Sequence, residues 1–380
     1  MSQKELTYKS IENEILKRIT SGIYRAGQRL PPERQLEKEF AACRLTIAKG
    51  LSNLTSAGYI TRTQGRGSFV CDNIPSEQRG CRTGSSTKGI IKYISPGGVN
   101  DPIPVSNGIL EGIHGIFTPA GYHVGVDFYS TVEQQTELLK NYVDPIHEAF
   151  VIWPALDPCV VTELNKMQIK KFPFVLVDSY FHELRCDYII SDNALGSEIM
   201  INHLVDNGHR HICYFTAMPD RVNMSDRLSG VISGLSKHGL AIVSDTINII
   251  PCGDKVMTGY HSSHNLSYLR KRLSELMLSA NRPTAIFCSN DWIAMALHNI
   301  MDDMELKVPE HISLAGFDNI DAAQYFKVPL TTVSQNFYEM GRLAAKVILS
   351  RKQNRDSGEM MIQQRVEPQL IIRDSVRKKF

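Results

Sequence analysis

The stretch Arg62-Thr63-Gln64-Gly65-Arg66-Gly67-Ser68-Phe69-Val70 holds the residues of a phosphate loop, two glycines around an arginine. A dinucleotide cradle needs a third small residue and a helix opening behind it. Val70 stands at that place, and no helical pattern begins there. The other reading is a tight turn between two short strands, "YITRT" and "SFV", in which glycine supplies positive φ and Arg66 rides at the tip. Two more residues stand out by placement. Asn290 ends "TAIFCSN" and Asp318 ends "ISLAGFD", each at the carboxyl end of an apolar run, where a polar side chain is costly unless something bonds it. An arginine fork beside a carboxylate and an amide would offer donors and acceptors to vicinal hydroxyls. Both residue types also cap helices well, so a turn or cap role stays open for each.

Catalytic patterns do not appear. The sequence has no Walker-type Gly-Lys-Ser/Thr, no Gly-x-Ser-x-Gly elbow and no His-Glu-x-x-His. Its 12 histidines make no ligand spacing, "GHRH" at 208–211 reads as a polar loop, and the eight cysteines (43, 71, 81, 159, 186, 213, 252 and 288) include no Cys-x-x-Cys pair. The expectation is no catalytic residue, no metal and no cofactor.

At 380 residues, 42% apolar and 22% charged, the chain is globular and long enough for two or three domains. No apolar run reaches the roughly 18 residues of a membrane span, and "MSQKELTYKS" is not a signal peptide, so a cytoplasmic protein without a membrane partner is expected. The whole-chain charge of +2 hides an asymmetry: residues 1–70 hold 12 Lys/Arg against 6 Asp/Glu, and the rest is mildly acidic. A basic head suits a polyanion, although a solvated basic face would look the same.

The elements that would position these residues follow from periodicity. Ile11, Ile15, Leu16 and Ile19 repeat at helical spacing up to Ser21, with Gly22 as a stop; a second helix starts near Glu33 with Leu36 and Phe40; a third runs from about Leu45 to Ala57 with Ile47, Leu51 and Leu54 on one face. With the hairpin, whose Phe69 is expected to anchor the returning strand, these make a winged helix-turn-helix over residues 1–70. Residues 71–88 lack periodicity and read as a linker. From 89 onward apolar runs alternate with amphipathic helices: "GIIKYI", "YHVGVDFY", "AFVIWPA", "FPFVLVD", "DYIISDN", "HICYFTA", "TINIIPC", "TAIFCSN" and "ISLAGFDN". That is an α/β pattern of parallel sheets with helices on both faces, too long for one core, so two lobes with a ligand between them are expected.

Residues 7–70 resemble the GntR family of bacterial transcription regulators, through Pro31, Glu33 and Arg34, then Arg44 and Thr46, then the wing Gln64, Gly65, Gly67, Phe69 and Val70. The resemblance implies that Arg34, Arg44, Thr46, Lys49, Gln64, Gly65, Arg66 and Gly67 meet double-stranded operator DNA. Arg44, Thr46 and Lys49 lie where a recognition helix reads base edges, and Arg34, Lys49 and Arg66 suit phosphates. Pro32, Cys43, Leu45 and Ala48 depart from the usual serine, serine, threonine and arginine, so the family's operator preference does not carry over.

From Gly89 to about Val376 the chain looks like the effector domain of the LacI/GalR regulators, itself similar to periplasmic binding proteins. The pieces are "DYIISDNALGSEIMINHLVDNGHRHICYF", "SDRLSGVISGL", "PTAIFCSNDWIAMAL", "ISLAGFDN" and "PLTTVSQNFYEMGRLAAKVIL". That resemblance implies an effector site of Arg227, Asn290 and Asp318, with Trp153 and Phe337 as aromatic platforms and Asp178 as a further member. It also implies lobes of 89–191 plus 336–358 and 192–335 plus 359–380. The expected protein is similar to the arabinose repressor type of regulator: a homodimeric repressor of carbohydrate-use genes that answers to a monosaccharide or derivative. A GntR-type head on an enzyme-derived, aminotransferase-like body, or on a body for a non-sugar ligand, is the alternative.

Overall fold

The computed structural model describes residues 8–20, 23–24, 27–40, 42–56, 59–63, 67–71, 88–98, 101–102, 104–217, 219, 221–243, 245–250, 263–353 and 360–378. The chain divides into two compact units, Met1–Ser85 and Ser86–Phe380. Most of the expected linker, the wing tip 64–66, Cys81 and Cys252 lie outside the described residues.

The first unit has helices α1 (Tyr8–Thr20), α2 (Glu33–Phe40) and α3 (Arg44–Ser56), then strands β1 (Ile60–Thr63) and β2 (Gly67–Val70) paired antiparallel. The helical stripes close on one another: Ile11, Ile15, Leu36, Ile47, Leu51 and Leu54 are all nearly inaccessible to solvent. Gly67 takes φ +105°, which explains glycine at the wing's return. The anchor of that return is Val70 rather than Phe69: Val70 is buried and Phe69 only half-buried. Successive side chains of a strand face opposite ways, and β2 is held from behind by residues 27–30, through Leu30 N–H to Ser68 O (2.9 Å) and Val70 N–H to Gln28 O (2.9 Å).

The second unit is a pair of α/β lobes. Its elements run β3 (Ile90–Gly98), β4 (Asp101–Pro102), α4 (Pro104–Phe117), β5 (His123–Tyr129), α5 (Val132–Lys140), β6 (His147–Ile152), α6 (Pro158–Ile169), β7 (Phe174–Val177) and β8 (Tyr188–Ser191). Next come α7 (Asn193–Asp206), β9 (Ile212–Ala217), α8 (Val222–Lys237), β10 (Ile247–Ile250), α9 (Ser263–Leu278), β11 (Ala285–Cys288), α10 (Asp291–Asp303), β12 (Ser313–Asp318) and β13 (Thr331–Ser334). The chain ends with α11 (Phe337–Gln353), β14 (Gln363–Val366) and β15 (Gln369–Ile371).

One sheet has the order β14-β8-β7-β6-β3, with β5 parallel on the far edge of β3 and β4 a short antiparallel extension. The other has the order β10-β9-β11-β12-β13-β15, parallel except for β15. Each sheet carries apolar clusters on both faces, under α4/α11 and α5/α6 in the first lobe and under α7/α8 and α9/α10 in the second. All nine apolar runs are strands; those inside the sheets are covered on both faces, as near-continuous hydrophobicity predicts, while β5 and β10 lie at sheet edges and stay partly exposed.

Two helix pairs approach backbone to backbone. A Cβ on Gly341 of α11 would lie 2.0 Å from the Ile109 carbonyl of α4, and one on Gly230 of α8 would lie 2.1 Å from the Ala194 carbonyl of α7.

The lobe boundary differs from the expected one at the end of the chain. Residues 363–366 form β14, parallel to β8 of the first lobe, and only β15 returns to the second. The lobes are therefore joined at three short crossings: after β8, between β13 and α11, and between β14 and β15. "QQRV" carries no apolar run because it is an exposed edge strand with only Val366 buried. "GHRH" departs too: His209 is buried, its ring nitrogens 2.9 Å from Thr284 Oγ1 and 3.1 Å from Arg377 O, so it ties the C-terminal segment to the sheet.

Candidate functional site

In the head, Arg34 is exposed on α2, Thr46 is half-buried and Lys49 exposed on α3, and Gly67 opens β2 at the surface. Thr46 and Lys49 are three apart and so share a helix face. Arg44 opens α3, but its side chain, like Gln64, Gly65 and Arg66, lies outside the described residues. Cys43, at the place of the usual serine, sits with Sγ 3.0 Å from Thr46 Oγ1 and its carbonyl accepts from Thr46 N–H. Part of the positive charge is spent internally: Arg18 pairs with Glu14 at 3.0 Å and with Glu39, and lies over the Phe40 ring.

In the second unit the six expected effector residues fall at the carboxyl ends of the two sheets, Arg227, Asp318 and Asn290 in one lobe and Trp153, Phe337 and Asp178 in the other. Arg227, on α8, is 1% exposed. Its Nη2 lies 3.0 Å from Asp318 Oδ1, its Nε donates to Asn193 Oδ1 at 2.8 Å, and its Nη1 donates to the Ser289 carbonyl. The guanidinium also stacks 3.8 Å above the Phe317 ring centroid. Each nitrogen of the fork thereby has a partner, three contacts for five N–H groups. Beside its ion pair with Arg227, Asp318 accepts a hydrogen bond from Gln335 Nε2 at 2.6 Å, and the helical turn that follows starts from Ile320, so Asp318 is not a helix cap. Asn290 is one: its side chain accepts from Ile293 N–H at 2.9 Å and starts α10. It stays next to the Ser289 carbonyl that Arg227 grips.

The first lobe supplies the other three. Trp153, just past β6, stacks on Phe337, the first residue of α11, with ring centroids 6.3 Å apart and planes 27° apart. Asp178, just past β7, is 4% exposed and takes a left-handed φ of +65°. It lies beside the Trp153 side chain and, across from the second lobe, beside Asn223 on α8, within electrostatic reach of Arg227 and Asp318.

Sequence reasoning missed the residues that hold three of these six. Asn193 anchors Arg227; Gln335 anchors Asp318; Gln135, wholly buried, donates to Trp153 O at 3.0 Å and accepts from Ala155 N–H at 2.8 Å. Asn193 directly follows the strand "DYIIS" and its Asp192 cap, and Gln335 stands two before Phe337, so their positions at strand ends were the available signal.

Burial pushes the Asp178 carboxyl up from its ordinary 3.8 to about 7; Arg227 opposes this, and the Asp318 charge adds to it. Asp318 is raised by burial as well, with Arg227 and Gln335 pulling the other way. Because the folded chain binds the Asp178 proton more tightly than the unfolded chain, stability from this group is complete below about pH 4 and is lost as pH rises to about 7. The slope is at most about 1.4 kcal/mol per pH unit for one carboxyl. Urea unfolding from pH 5 to 7.5 should accordingly show stability falling with pH, and Asp178→Asn should flatten that fall. A slope unchanged in the variant would mean that Asp178 is ionised throughout.

Comparison with known proteins agrees with this division. Residues 7–70 match the family model for bacterial regulatory proteins of the gntR family, and residues 201–376 match the periplasmic binding protein-like domain. Over 98% of its length the chain is similar, at 26% identity, to an arabinose metabolism transcriptional repressor of Halalkalibacterium halodurans, covering 96% of it. It is similar end to end, at 27% identity, to the arabinose metabolism transcriptional repressor of Geobacillus stearothermophilus. The fold is shared with a LacI family transcriptional regulator from Enterococcus faecium with bound ribose: TM-score 0.62, 24% identity, 77% of this chain and 100% of that one. No described helix is long and apolar enough to cross a membrane. The chain is a transcription regulator that joins a gntR-family head to a periplasmic binding protein-like domain.

Proposed function

We propose that this regulator is a sugar-responsive repressor: as a cytoplasmic homodimer it holds operator DNA, and a monosaccharide or derivative seated between the lobes, bound and not converted, sets how tightly. One observation carries the reading. Asp178, beside Trp153, lies within electrostatic reach of Arg227 and Asp318 across the lobes, so a ligand between that ion pair and the stacked Trp153 and Phe337 would meet charged hydrogen-bonding groups and a flat apolar surface together. A sugar ring has hydroxyl edges for the first and an apolar face for the second. Gln335 Oε1 supports it: among the described residues this buried acceptor beside Asp318 has no hydrogen-bond partner, so a ligand hydroxyl would satisfy it. Two carboxyls, Asp178 and Asp318, around one guanidinium favour an uncharged ligand over a sugar phosphate. The arabinose-related names of the relatives and the ribose bound by the fold neighbour point the same way.

The effector need only prefer one arrangement of the lobes. A difference of roughly 1 to 3 kcal/mol changes operator affinity about 5- to 150-fold, and in a dimer it would act by changing the spacing of two heads on two half-sites. Fluorescence anisotropy of the full chain on a duplex selected by it in vitro, titrated with L-arabinose, D-ribose and their phosphates, tests this. Release by a neutral sugar and not by its phosphate is expected; indifference to every neutral sugar would end the sugar reading. In the same assay Arg44→Ala should weaken the selected duplex by roughly 1–3 kcal/mol while leaving random DNA nearly unchanged, and an equal loss on both would remove Arg44 from base readout.

A further inference from the structure

The Asp318 carboxylate is carried on a corner that the backbone does not adopt readily. The φ of Asp318 is +108° and that of Asn319 is +52°, two successive left-handed residues without a glycine. Such a corner persists only where its surroundings hold it.

Two side chains that do not touch Arg227 hold it. Asp291, in the first turn of α10, is 0% exposed. Its Oδ2 accepts the Ile320 N–H at 2.9 Å, and its Oδ1 lies 2.6 Å from Thr332 Oγ1 on β13. Gly316 makes the room, since a Cβ there would lie 2.1 Å from Asp291 Oδ1. Arg373, just past β15, donates from Nη2 to Asn319 Oδ1 at 2.8 Å and from Nη1 to Leu330 O at 2.7 Å. The segment that carries it is itself pinned: buried Ser375 donates to Leu314 O at 2.6 Å and accepts from Thr331 N–H at 2.8 Å. The corner is thus gripped at residue 319 by the C-terminal segment and at residue 320 by a buried carboxyl.

We propose that Asp291 and Arg373 are positioning residues of the effector site, which hold the 318–320 corner so that the Asp318 carboxylate meets Arg227 and Gln335. The proposal rests on the reading of Asp318 as an effector ligand, and it makes the C-terminal segment part of that site. Asp291 acts as a hydrogen-bonding group, not as a charge. Burial first and the neighbouring Asp318 second push its carboxyl up to about 8, against the pull of Thr332, the Ile320 N–H and Arg373. An asparagine reproduces the neutral acid, with an amide to Thr332 Oγ1 and a carbonyl to Ile320 N–H.

The test uses the full chain as Asp291→Ala, Asp291→Asn, Arg373→Ala, Asn319→Ala and the Arg373/Asn319 double alanine variant. Hydrogen exchange of peptides spanning 314–326, without ligand at pH 7, reads the corner; calorimetric titration with L-arabinose and with D-ribose reads the site. Asp291→Ala and Arg373→Ala should speed exchange at 319–321 at least tenfold, leave the β9 and β11 peptides at the wild-type rate, and weaken sugar binding at least tenfold. Asp291→Asn should stay within threefold of wild type in both readings. The double variant should be no worse than Arg373→Ala alone, and this pair decides the matter if Asp291→Ala fails to fold. Wild-type exchange at 319–321 in the alanine variants, undiminished sugar affinity, or an asparagine variant as impaired as the alanine one would overturn the proposal. If the wild type binds neither sugar, the sugar reading falls and the exchange measurement alone judges the corner.

Discussion

Arg227→Ala is expected to be the most damaging single truncation in the second unit, costing about 3–5 kcal/mol of stability, the range for removing one partner of a buried ion pair. The guanidinium is shared by Asp318, Asn193 and the Ser289 carbonyl and covered by Phe317, so the truncation leaves two acceptors without this donor, a buried carboxylate without its counter-charge and a void beneath a ring. Asp178 and Asp318, both raised by burial and both stabilised by Arg227, would then be costlier still when ionised. The loss should therefore be larger at pH 8 than at pH 5, because the carboxyls can protonate at the lower pH. Urea unfolding of the full chain at the two pH values measures it. Arg227→Lys, which keeps a charge but not the planar fork, should recover only part of the loss. A penalty below about 1 kcal/mol, within the range of exposed pairs, would mean that solvent reaches this pair in solution.

The second large effect is expected at a glycine. Gly230→Ala would set a methyl group 2.1 Å from the Ala194 carbonyl, and that obstacle is backbone, not the end of a flexible chain. Helix α8 must move away from α7, at a cost of roughly 1–3 kcal/mol for overpacking, only partly offset by the roughly 1 kcal/mol that alanine gains over glycine in a helix. Arg227 stands three residues earlier on α8 and Asn193 at the start of α7, so the displacement lengthens their 2.8 Å contact and should weaken effector binding as well. Gly234→Ala is the control. Its Cβ would lie 2.9 Å from Ile201 Cβ, an atom fixed to the α7 backbone, so the same two helices must part there too, but by far less than the 2.1 Å contact at Gly230 demands. The comparison of the two variants by thermal melting and effector titration is decisive: equal behaviour would show that the close approach of α7 and α8 has no role in holding Arg227.

These effects bear on how much could be read from the chain alone. The head was legible because its helices are amphipathic: Ile11, Ile15, Ile47 and Leu51 all lie on buried stripes. The central strands were legible because a strand covered on both faces must be apolar throughout. The edges were not. "QQRV" and "QLI" look like loop, since an edge strand has solvent beside it and backbone pairing rather than side-chain burial defines it. That is why the last crossing between the lobes was placed too early. In the site, Asn290 and Asp318 announced themselves as polar ends of apolar runs, whereas nothing in the composition around Arg227 distinguishes it from a surface arginine on an amphipathic helix. Resemblance to a family singled it out. Asn193 and Gln335 offered no more than a place at a strand end, and Asp291 not even that, because an amide or carboxyl becomes a holder of the site only through a partner distant in the chain: Asn193 and Arg227 are 34 residues apart, and Asp291 and Thr332 are 41 apart.

The three crossings between the lobes have a consequence for motion. Three short strands of chain, side by side, permit one lobe to swing against the other but oppose sliding, as the pins of a door do; Asp192 N–H, in the first crossing, even bonds to Val366 O beside the third at 2.9 Å. Two of the pins end in residues of the proposed ligand site: the first leads into Asn193, which holds Arg227, and the second carries Gln335 and Phe337. A ligand gripped there would hold the door by its hinge and not by its edge. Occupancy and opening angle would then be a single variable, and no separate transmission element would be needed inside this unit.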